Sequence, residues 1–464
     1  MNVNPITRLD YPDPDVIRVE DTYYMVSTTM HFMPGCEILQ SFDLVHWEHV
    51  TYVYETLDHT DAQQLKSGQN IYGQGMWAAS LRYHEGRFCI CFVANDTRKT
   101  YLYTSEKIDG PWKKQLIEGF YHDGSLLFDE DGRNYIVYGN DEIWITELNE
   151  DLTAPKKDGL HRLLVSDHKN PELGYEGSHI QKINGYYYIF LIHSLRDRWM
   201  RTEACFYSDS LEGEFTGGDV LCDDRGYCGQ GVAQGGIVDT PDGKWYAMLF
   251  QDSGAVGRIP ILLPVTWKDH FPFFGQNGHV PEEIEVHSTR PGYIYQPLVG
   301  SDDFCNGLLP RWQFNHDPDP RYYHLDALQG TYTITTREVC TELTQAVNTL
   351  TQRMSYPSCA AEVTVDASAL KEGDVAGLCA LQSCYAAVGI TKHHGKYEVL
   401  MLDKKEDGIL DMTEGTVVES HQMDFRLEAD FCNMKDEARC YYRVNKGDWL
   451  PIGTVHKLYF KLDH

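Results

Sequence analysis

One unit recurs five times in the first 280 residues of this 464-residue chain and restricts the folds open to it. Each copy is a strand-like stretch, a tight turn and a second strand rich in aromatic residues, as in "LRYHEGRFCICF" and "IQKINGYYYIFL". The turns begin 46 to 65 residues apart, at Glu20, Glu85, Asp131, Asn184 and Asp242. Short strands between Gly, Asp and Asn turns, with little helical periodicity, indicate an all-β protein. A repeat of this length made of several strands predicts a five-bladed β-propeller.

The repeats also place polar and acidic residues at one equivalent position. Eight residues before four of the turns, and seven before the first, stand Asp13, Trp77, Asp123, Glu176 and Gln234. In a propeller the equivalent strand of every blade lines one central channel, so these side chains should converge. Converging like charges are costly, so three carboxylates on one phase indicate a functional site rather than scattered surface acids. Prolines on both sides of Asp13 should hold it in extended backbone at the mouth of a strand.

Glycoside hydrolysis is the chemistry that such a carboxylate cluster fits. One carboxyl group protonates the leaving oxygen, and a second acts as base or nucleophile. Acids on different blades, facing each other across a channel, suit the wider separation that admits a water and inverts the anomeric carbon. A third carboxylate would raise the pKa of the general acid and keep it protonated near neutral pH. Trp77 could supply an apolar face for a sugar ring, or simply pack within its blade.

Net charge and cysteine usage limit the partners and the cellular compartment that we expect. The formal net charge of -29 argues against nucleic acid or an anionic membrane, and favours a neutral substrate. The first residues, "MNVNPITRLD", contain no apolar core of a signal peptide, and no later run is long enough to span a membrane, so we expect a cytoplasmic protein. The 13 cysteines are scattered, with no CxxC pair, which predicts reduced thiols, no disulfides and no zinc site.

Five stretches together resemble glycoside hydrolase family 43, which includes β-xylosidases and α-L-arabinofuranosidases: "YPDPDVIRV", "MWAASLRYHEGRF", "HDGSLLFDEDGRNY", "YEGSHIQKINGYYYIF" and "GGIVDTPDGKWYAML". The resemblance implies that Asp13 is the general base and Glu176 the general acid. It implies that Asp123 tunes the pKa of the acid and orients it. Arg258, in "AVGRIPILLPV", matches the arginine that holds substrate hydroxyls in the channel.

The chain departs from the family pattern around the sugar pocket. Gln234 stands where many members have a histidine linked to a channel calcium or water cluster, which puts a calcium in doubt. Met30 replaces the usual aromatic residue, with Phe32 two places on, and Ala78 and Ala79 follow Trp77 where Ala-Pro is common. The predicted substrate-binding residues are Met30, Phe32, Trp77, Ala78, Gln234 and Arg258. No cofactor is expected to be required, and no metal ligands are predicted.

A second domain is predicted over residues 298–464, after a propeller over residues 1–297. From "SDDF" onward the strands alternate as two-faced strands, which predicts a β-sandwich. The stretch "NTLTQRMSYPSCAAEVTVDASALKEGDVAGL" resembles the concanavalin-like jelly roll appended to many family 43 xylosidases, and we expect this copy to lack its last strands. In such relatives a sandwich loop can cap the channel, which favours action on chain ends. The "KHHGK" stretch, with His393 and His394, is predicted to be a turn rather than a metal site.

The sequence therefore predicts an inverting exo-glycosidase that removes terminal β-D-xylosyl or α-L-arabinofuranosyl residues from xylan- or arabinoxylan-derived oligosaccharides. Two alternatives stay open: an endo-acting arabinanase or xylanase with an open groove, and a carbohydrate-binding propeller without catalysis. The three carboxylates argue against the second, because binding alone needs no protonated acid opposite a base. Assembly into a homo-oligomer is left open.

Overall fold

Almost all regular structure in the computed structural model, which describes residues 3–461, is β-strand. Within that range the helical elements are single 3₁₀ turns at Lys66–Gly68, Gly254–Val256, Leu343–Gln345 and Cys432–Met434. The chain packs as two compact units. The first contains residues up to Asp252, then Arg258–Thr341 and Gln345–Gln352, and the second contains Ser253–Gly257, Glu342–Thr344 and the residues from Arg353 onward.

The first unit contains five four-stranded antiparallel sheets between residues 15 and 274, and each joins its strands in the order of the chain. Sheet 1 is Asp15–Val19, Thr22–Val26, Gly35–Ser41 and Glu48–Tyr54. Sheet 2 is Met76–His84, Arg87–Ala94, Lys99–Ser105 and Lys113–Ile117. Sheet 3 is Ser125–Phe128, Asn134–Asn140, Glu142–Leu148 and His161–Ser166. Sheet 4 is Glu176–Ile183, Tyr186–Ser194, Arg201–Ser208 and Thr216–Leu221, and sheet 5 is Ala233–Asp239, Trp245–Asp252, Arg258–Lys268 and Phe271–Phe274.

The first strands of the five sheets touch one another in a closed cycle, with the strand of sheet 5 returning to that of sheet 1. Buried apolar clusters fill the spaces between successive sheets, and the cluster between sheets 5 and 1 includes Leu9 and Tyr11 from the leading segment. That segment is tied to sheet 5, since Asn4 bonds the backbone of Leu262 in both directions, at 2.7 and 2.8 Å. The predicted propeller is confirmed.

The turns that defined the repeat follow their local chemistry. Glu85 and Asn184 have positive φ, and each is followed by a glycine with positive φ, so each pair makes a two-residue hairpin. Glu20 also has positive φ and begins a two-residue turn. The turns at Asp131 and Asp242 are longer, because their strands stop pairing at Phe128 and Asp239 respectively.

Residues beyond the predicted domain boundary at 297 also pack with the propeller unit. Strand Gln313–Asn315 pairs on one side with Leu350–Thr351 and on the other with Phe32–Met33. Strands Tyr323–Asp326 and Thr331–Ile334 form a separate hairpin in the same unit. The division by packing therefore falls some fifty residues later than the change of pattern in the sequence. The ends of the two predicted domains, residues 1–2 and 462–464, lie outside the described residues.

The second unit contains two antiparallel sheets that pack on each other. One is Ser358–Asp366, Gln422–Asp430, Glu437–Arg443 and Leu450–Lys457. The other is Val375–Ala380, Ala386–His393, Lys396–Lys404 and Leu410–Met412, with Thr416–Val418 also paired to the third strand. Alternate residues such as Val388, Ile390, Phe425 and Leu427 are buried, as a sandwich core requires. The predicted sandwich is confirmed.

Three smaller sequence predictions also have an outcome. The thirteen cysteines, all within residues 3–461, are free thiols. His394 and Gly395 both have positive φ and form the hairpin turn between His393 and Lys396, as predicted. In the part of the chain that the structure describes, no helix has the length and apolar character needed to cross a bilayer.

Candidate active site

The three predicted acids lie at, or just before, the start of the first strands of sheets 1, 3 and 4. Unusual backbone conformations orient their side chains. Asp13 and Asp123 lie two residues before their strands, with φ of 52° and 48°. The expectation of extended backbone at Asp13 was wrong, because its neighbours hold it in the left-handed region despite the following proline. Glu176 begins its strand, and Gly177 has φ of 64° where the register shifts before His179. Bulges and left-handed residues cluster at functional sites because they re-aim side chains.

Asp13 is buried and held through both carboxylate oxygens. Arg258 donates from Nη1 to Oδ1 at 2.8 Å, and Thr28 donates from its hydroxyl to Oδ2 at 2.6 Å. The guanidinium of Arg258 also lies over the Phe250 ring, 5.2 Å from its centroid. Burial opposes the charge of Arg258, yet Asp13 and its neighbouring acids raise the pKa of Arg258 above its usual range. Arg258 is therefore joined to the predicted base, and its predicted contact with substrate hydroxyls stays a prediction.

Asp123 and Glu176 meet through His122. Nε2 of His122 lies 3.4 Å from Oδ2 of Asp123 and 3.4 Å from Oε2 of Glu176. Asp123 Oδ2 also accepts a hydrogen bond from the Gly177 amide at 2.9 Å, and Glu176 Oε2 accepts one from the Asn140 side chain at 2.7 Å. The side chain of Glu176 remains 21% exposed, whereas Asp123 is buried. The two acids thus differ in their access to a substrate.

Burial and neighbouring charges shift the pKa values of Asp123 and His122 in this group. Burial raises the pKa of Asp123 to about 6, with the charges of Glu176 and Asp13 adding to the effect and His122 opposing it. Burial alone would lower the pKa of His122, but Asp123, Glu176 and Asp13 outweigh it and raise that pKa to about 9. A cationic imidazole therefore sits between two carboxyl groups at neutral pH. The predicted role of Asp123 in tuning Glu176 stays a prediction, and any such effect is shared with His122.

Trp77 and Gln234 lie beside the acids. The Trp77 ring meets the His122 ring edge to face, with centroids 5.7 Å apart. The backbone N–H of Gln234 donates to Oε2 of Glu203 at 2.7 Å, and the Gln234 side chain packs so closely against Gly177 that a Cβ there would lie 2.7 Å from it. Glycine at 177 is thus required by both its φ and this approach. Ala78 lies half-buried within the irregular pairing of the first strand of sheet 2.

Met30 and Phe32 are positioned by other neighbours. Met30 is buried and exchanges backbone hydrogen bonds with Met76, the residue before Trp77. The Phe32 ring packs at a tilt of 33° against His31, with centroids 4.2 Å apart, and Phe32 pairs with Asn315 in the strand register. Their predicted contact with the sugar stays a prediction.

The sequence reasoning missed His122, Asn140 and Thr28. His122 directly precedes a predicted acid within "HDGSLLFDEDG", so its place in the motif was a usable signal. Asn140 is the last residue of its strand, Thr28 follows a strand, and neither gave a local signal. One ligand atom from each of His122, Asp123 and Glu176 lies within 4.8 Å of the others, a spacing that could hold a metal ion. Gln234 does not belong to this group, and the predicted doubt about a channel calcium stays a prediction.

Two family models match the chain. The model of glycosyl hydrolases family 43 matches residues 3–272, and the model of the β-xylosidase C-terminal concanavalin A-like domain matches residues 301–461. The first covers sheets 1 to 4 in full, sheet 5 as far as residue 272, and all three acids. Glycosidases of this family act without a cofactor, in agreement with the sequence analysis.

Similar proteins carry related activities in their names. The chain is 27% identical over 462 residues to a β-xylosidase of Formosa agariphila, covering 86% of this chain and 76% of that protein. It is 24% identical over 437 residues to a non-reducing-end α-L-arabinofuranosidase of Bacteroides ovatus, covering 88% and 79%.

Solved structures share the fold over nearly the full chain. A bifunctional GH43-CE protein of Bacteroides eggerthii superposes with a TM-score of 0.92 and 41% identity, covering 99% of this chain. The present chain spans 59% of that longer protein. An engineered family 43 enzyme with endo-xylanase and exo-arabinofuranosidase activity superposes with a TM-score of 0.84 and 27% identity, covering 98% and 92%. With its acids, its propeller and its sandwich in place, the chain belongs to glycosyl hydrolase family 43.

Proposed function

We propose that the protein is an inverting exo-glycosidase that hydrolyses terminal β-D-xylosyl or α-L-arabinofuranosyl residues of short xylan- or arabinoxylan-derived chains. The observation that carries the proposal is the convergence of Asp13, Asp123 and Glu176, each from a different sheet, on one end of the propeller strands. The names of the similar β-xylosidase and arabinofuranosidase support the choice of sugars.

The contacts of each acid suit its proposed role. Arg258 and Thr28 fix the carboxylate of Asp13, so it can orient a water and take its proton as the water attacks the anomeric carbon. Asn140 and His122 both approach Oε2 of Glu176. Among the described residues Oε1 has no such partner, so it can carry the proton that passes to the leaving oxygen.

Two measurements test this function. Aryl β-D-xyloside and aryl α-L-arabinofuranoside, assayed side by side, should show hydrolysis of at least one, and their ratio assigns the sugar. Proton NMR of the first sugar released should show the inverted anomer. A retained anomer would contradict the role of Asp13, since it would then have to act as a nucleophile.

We also propose a cytoplasmic location, supported by thirteen free thiols, which persist in reducing compartments. Fractionation of the native host with an antibody to the chain tests it, and recovery outside the cytoplasm would contradict it. A homo-oligomer is a further proposal that light scattering of the purified protein decides.

A further inference from the structure

The loop between the second and third strands of sheet 4, residues 195–200, lies at the same end of that sheet as Glu176. In the antiparallel register Glu176 pairs with Ile192, and Ile192 pairs with Glu203. Arg201, which pairs with Ser194, is two residues further toward the loop. Two residues of strand span roughly 6.6 Å, so Arg201 and the loop lie just beyond the row of the proposed acid.

Arg201 is placed against the machinery of the proposed base. Its side chain is 12% exposed and pairs with Asp252, Nη1 to Oδ1, at 3.2 Å. Its guanidinium lies 5.1 Å from the centroid of the Phe250 ring, and the same ring carries Arg258 at 5.2 Å. The two arginines therefore share one aromatic neighbour, and Arg258 holds Asp13.

The donors of Arg201 are incompletely used. Its Nε is buried and, among the described residues, has no hydrogen-bond partner. Buried polar groups are nearly always hydrogen-bonded, so an unmatched guanidinium donor beside a candidate active site calls for an acceptor from outside the chain. Sugar hydroxyl oxygens are such acceptors.

Trp199 supplies a flat apolar surface next to this donor. It is 43% exposed, and Arg201 lies 5.3 Å from the centroid of its ring. The loop that presents it is held in place by Ser194, whose hydroxyl donates to the Arg198 carbonyl at 3.2 Å and accepts from the Met200 amide at 2.8 Å. An exposed indole on a backbone held in this way offers a ring face for stacking.

We propose that Trp199 and Arg201 form the leaving-group subsite, which binds the second sugar ring of an oligosaccharide by stacking on Trp199 and hydrogen bonding to Arg201. This inference rests on the proposed function. Because Glu176 protonates the leaving oxygen, the ring attached to that oxygen lies next to Glu176, at the end of sheet 4 where its first strand begins. In the antiparallel register Arg201 lies two residues beyond the row of Glu176 at that end, and Trp199 lies in the loop beyond Arg201.

The test compares two substrates with the same terminal sugar. A disaccharide fills the subsite, whereas a glycosyl fluoride has a leaving group with no ring to bind there. Trp199→Ala and Arg201→Lys should each lower kcat/KM for the disaccharide by about tenfold or more, the range expected for losing a charged hydrogen bond or a stacking contact. Both should stay within about twofold of the unmodified protein on the fluoride. Arg198→Ala, at a side chain on the same loop that is 62% exposed, is the matched control and should change neither.

The outcomes separate the subsite from the function it rests on. Equal losses on both substrates, or no loss on the disaccharide, would overturn the subsite. Trp199→Ala removes an exposed ring, so we expect its melting curve to match that of the unmodified protein. This variant therefore tests the subsite even if Arg201→Lys weakens the ion pair with Asp252 and destabilises the fold. An unmodified protein that hydrolyses neither substrate would overturn the proposed function and the subsite together.

Discussion

Two layers of charged residues follow the same inner strands of the propeller, and they are built in opposite ways. The deeper layer centres on Asp15, which is 1% exposed and accepts hydrogen bonds from the Leu81 amide at 2.7 Å and Arg82 at 2.8 Å. His179 approaches its other oxygen at 3.1 Å. Burial opposes the charge of Asp15, but Arg82 and His179 outweigh it and lower its pKa.

The outer layer, two residues nearer the mouth, contains Asp13, Asp123 and Glu176. There burial and like charges raise the pKa of Asp123 to about 6, and one imidazole is shared by two carboxyl groups. Arg82 in the deeper layer also bonds Ser125 at 2.7 Å and so ties sheets 1, 2 and 3 together. The comparison shows that Asp15, with both oxygens paired, holds neighbouring sheets together, whereas Asp123 and Glu176 share one imidazole and are available for chemistry.

The largest expected effect is on the outer layer. Asp13→Asn removes the proposed base but keeps the side-chain shape, so kcat/KM should fall about a thousandfold or more on every substrate. Steady-state kinetics on a disaccharide and on a glycosyl fluoride measure it. A loss below tenfold on both would show that Asp13 is not the base.

Asp15→Asn should instead damage the fold. It leaves Arg82 and His179 without their buried partner, and breaking such a pair costs about 3 to 5 kcal/mol. Denaturant unfolding at pH 7 measures this loss, and kcat per folded molecule should stay within a few-fold of the unmodified protein. Because the pKa of Asp15 is lowered in the folded state, its stabilisation is present above the unfolded value near 3.8 and is lost as the pH falls through the folded value. Destabilisation by the variant that persists undiminished at low pH would contradict this account.

Glu176→Gln should separate substrates by leaving group. It cannot protonate the leaving oxygen, so hydrolysis of a disaccharide should fall about a hundredfold. A glycosyl fluoride needs no such protonation and should lose less than about tenfold. Equal losses on the two substrates would refute the acid role.

Asp123→Asn is expected to stabilise the folded protein at neutral pH, the reverse of Asp15→Asn. The folded-state pKa of about 6 lies above the ordinary 3.8, so folding favours the protonated form, and stability is lost as the pH rises from about 4 to 6. Removing the charge should recover on the order of 2 to 3 kcal/mol at pH 7 and nothing near pH 3. Melting curves across this range measure it, and a variant that melts lower at pH 7 would contradict it.

The same variant tests the proposed influence of Asp123 on the acid. Losing a negative neighbour favours ionisation of Glu176, so the alkaline limb of kcat/KM against pH should move to lower pH. If Asp123 only holds substrate hydroxyls, the limb stays and the rate or affinity falls. An unmoved limb in the folded variant would refute the tuning role.

The smallest effect is expected at His122. Its pKa of about 9 makes it a cation at neutral pH beside Glu176, and Gln in its place keeps a donor without the charge. For His122→Gln the alkaline limb should therefore move to higher pH, opposite to Asp123→Asn, by about one unit or less. A shift in the same direction for both variants would show that the limb does not report the charges around Glu176.

The repeat and the acids that it carries could be predicted from short stretches of sequence. Alternation with period two and turn pairs such as Asn184-Gly185 act between residues close in the chain, so they can be read locally. Counting from those turns located Asp13, Asp123 and Glu176, and the family motifs added Arg258. The sandwich was recognised in the same way.

The hydrogen-bond and ion-pair partners of those residues depend on the tertiary structure. The contact of His122 with Glu176, the pairing of Asp15 with Arg82 and the place of Arg201 beside Phe250 each join residues far apart in sequence. The strand at Gln313–Asn315 likewise packs with the propeller unit, although it follows the predicted boundary. Burial and the distance to other charges set a pKa, and neither is a property of a local stretch of chain. The sequence could therefore identify the acids, whereas the burial and the partners of each acid depend on the fold.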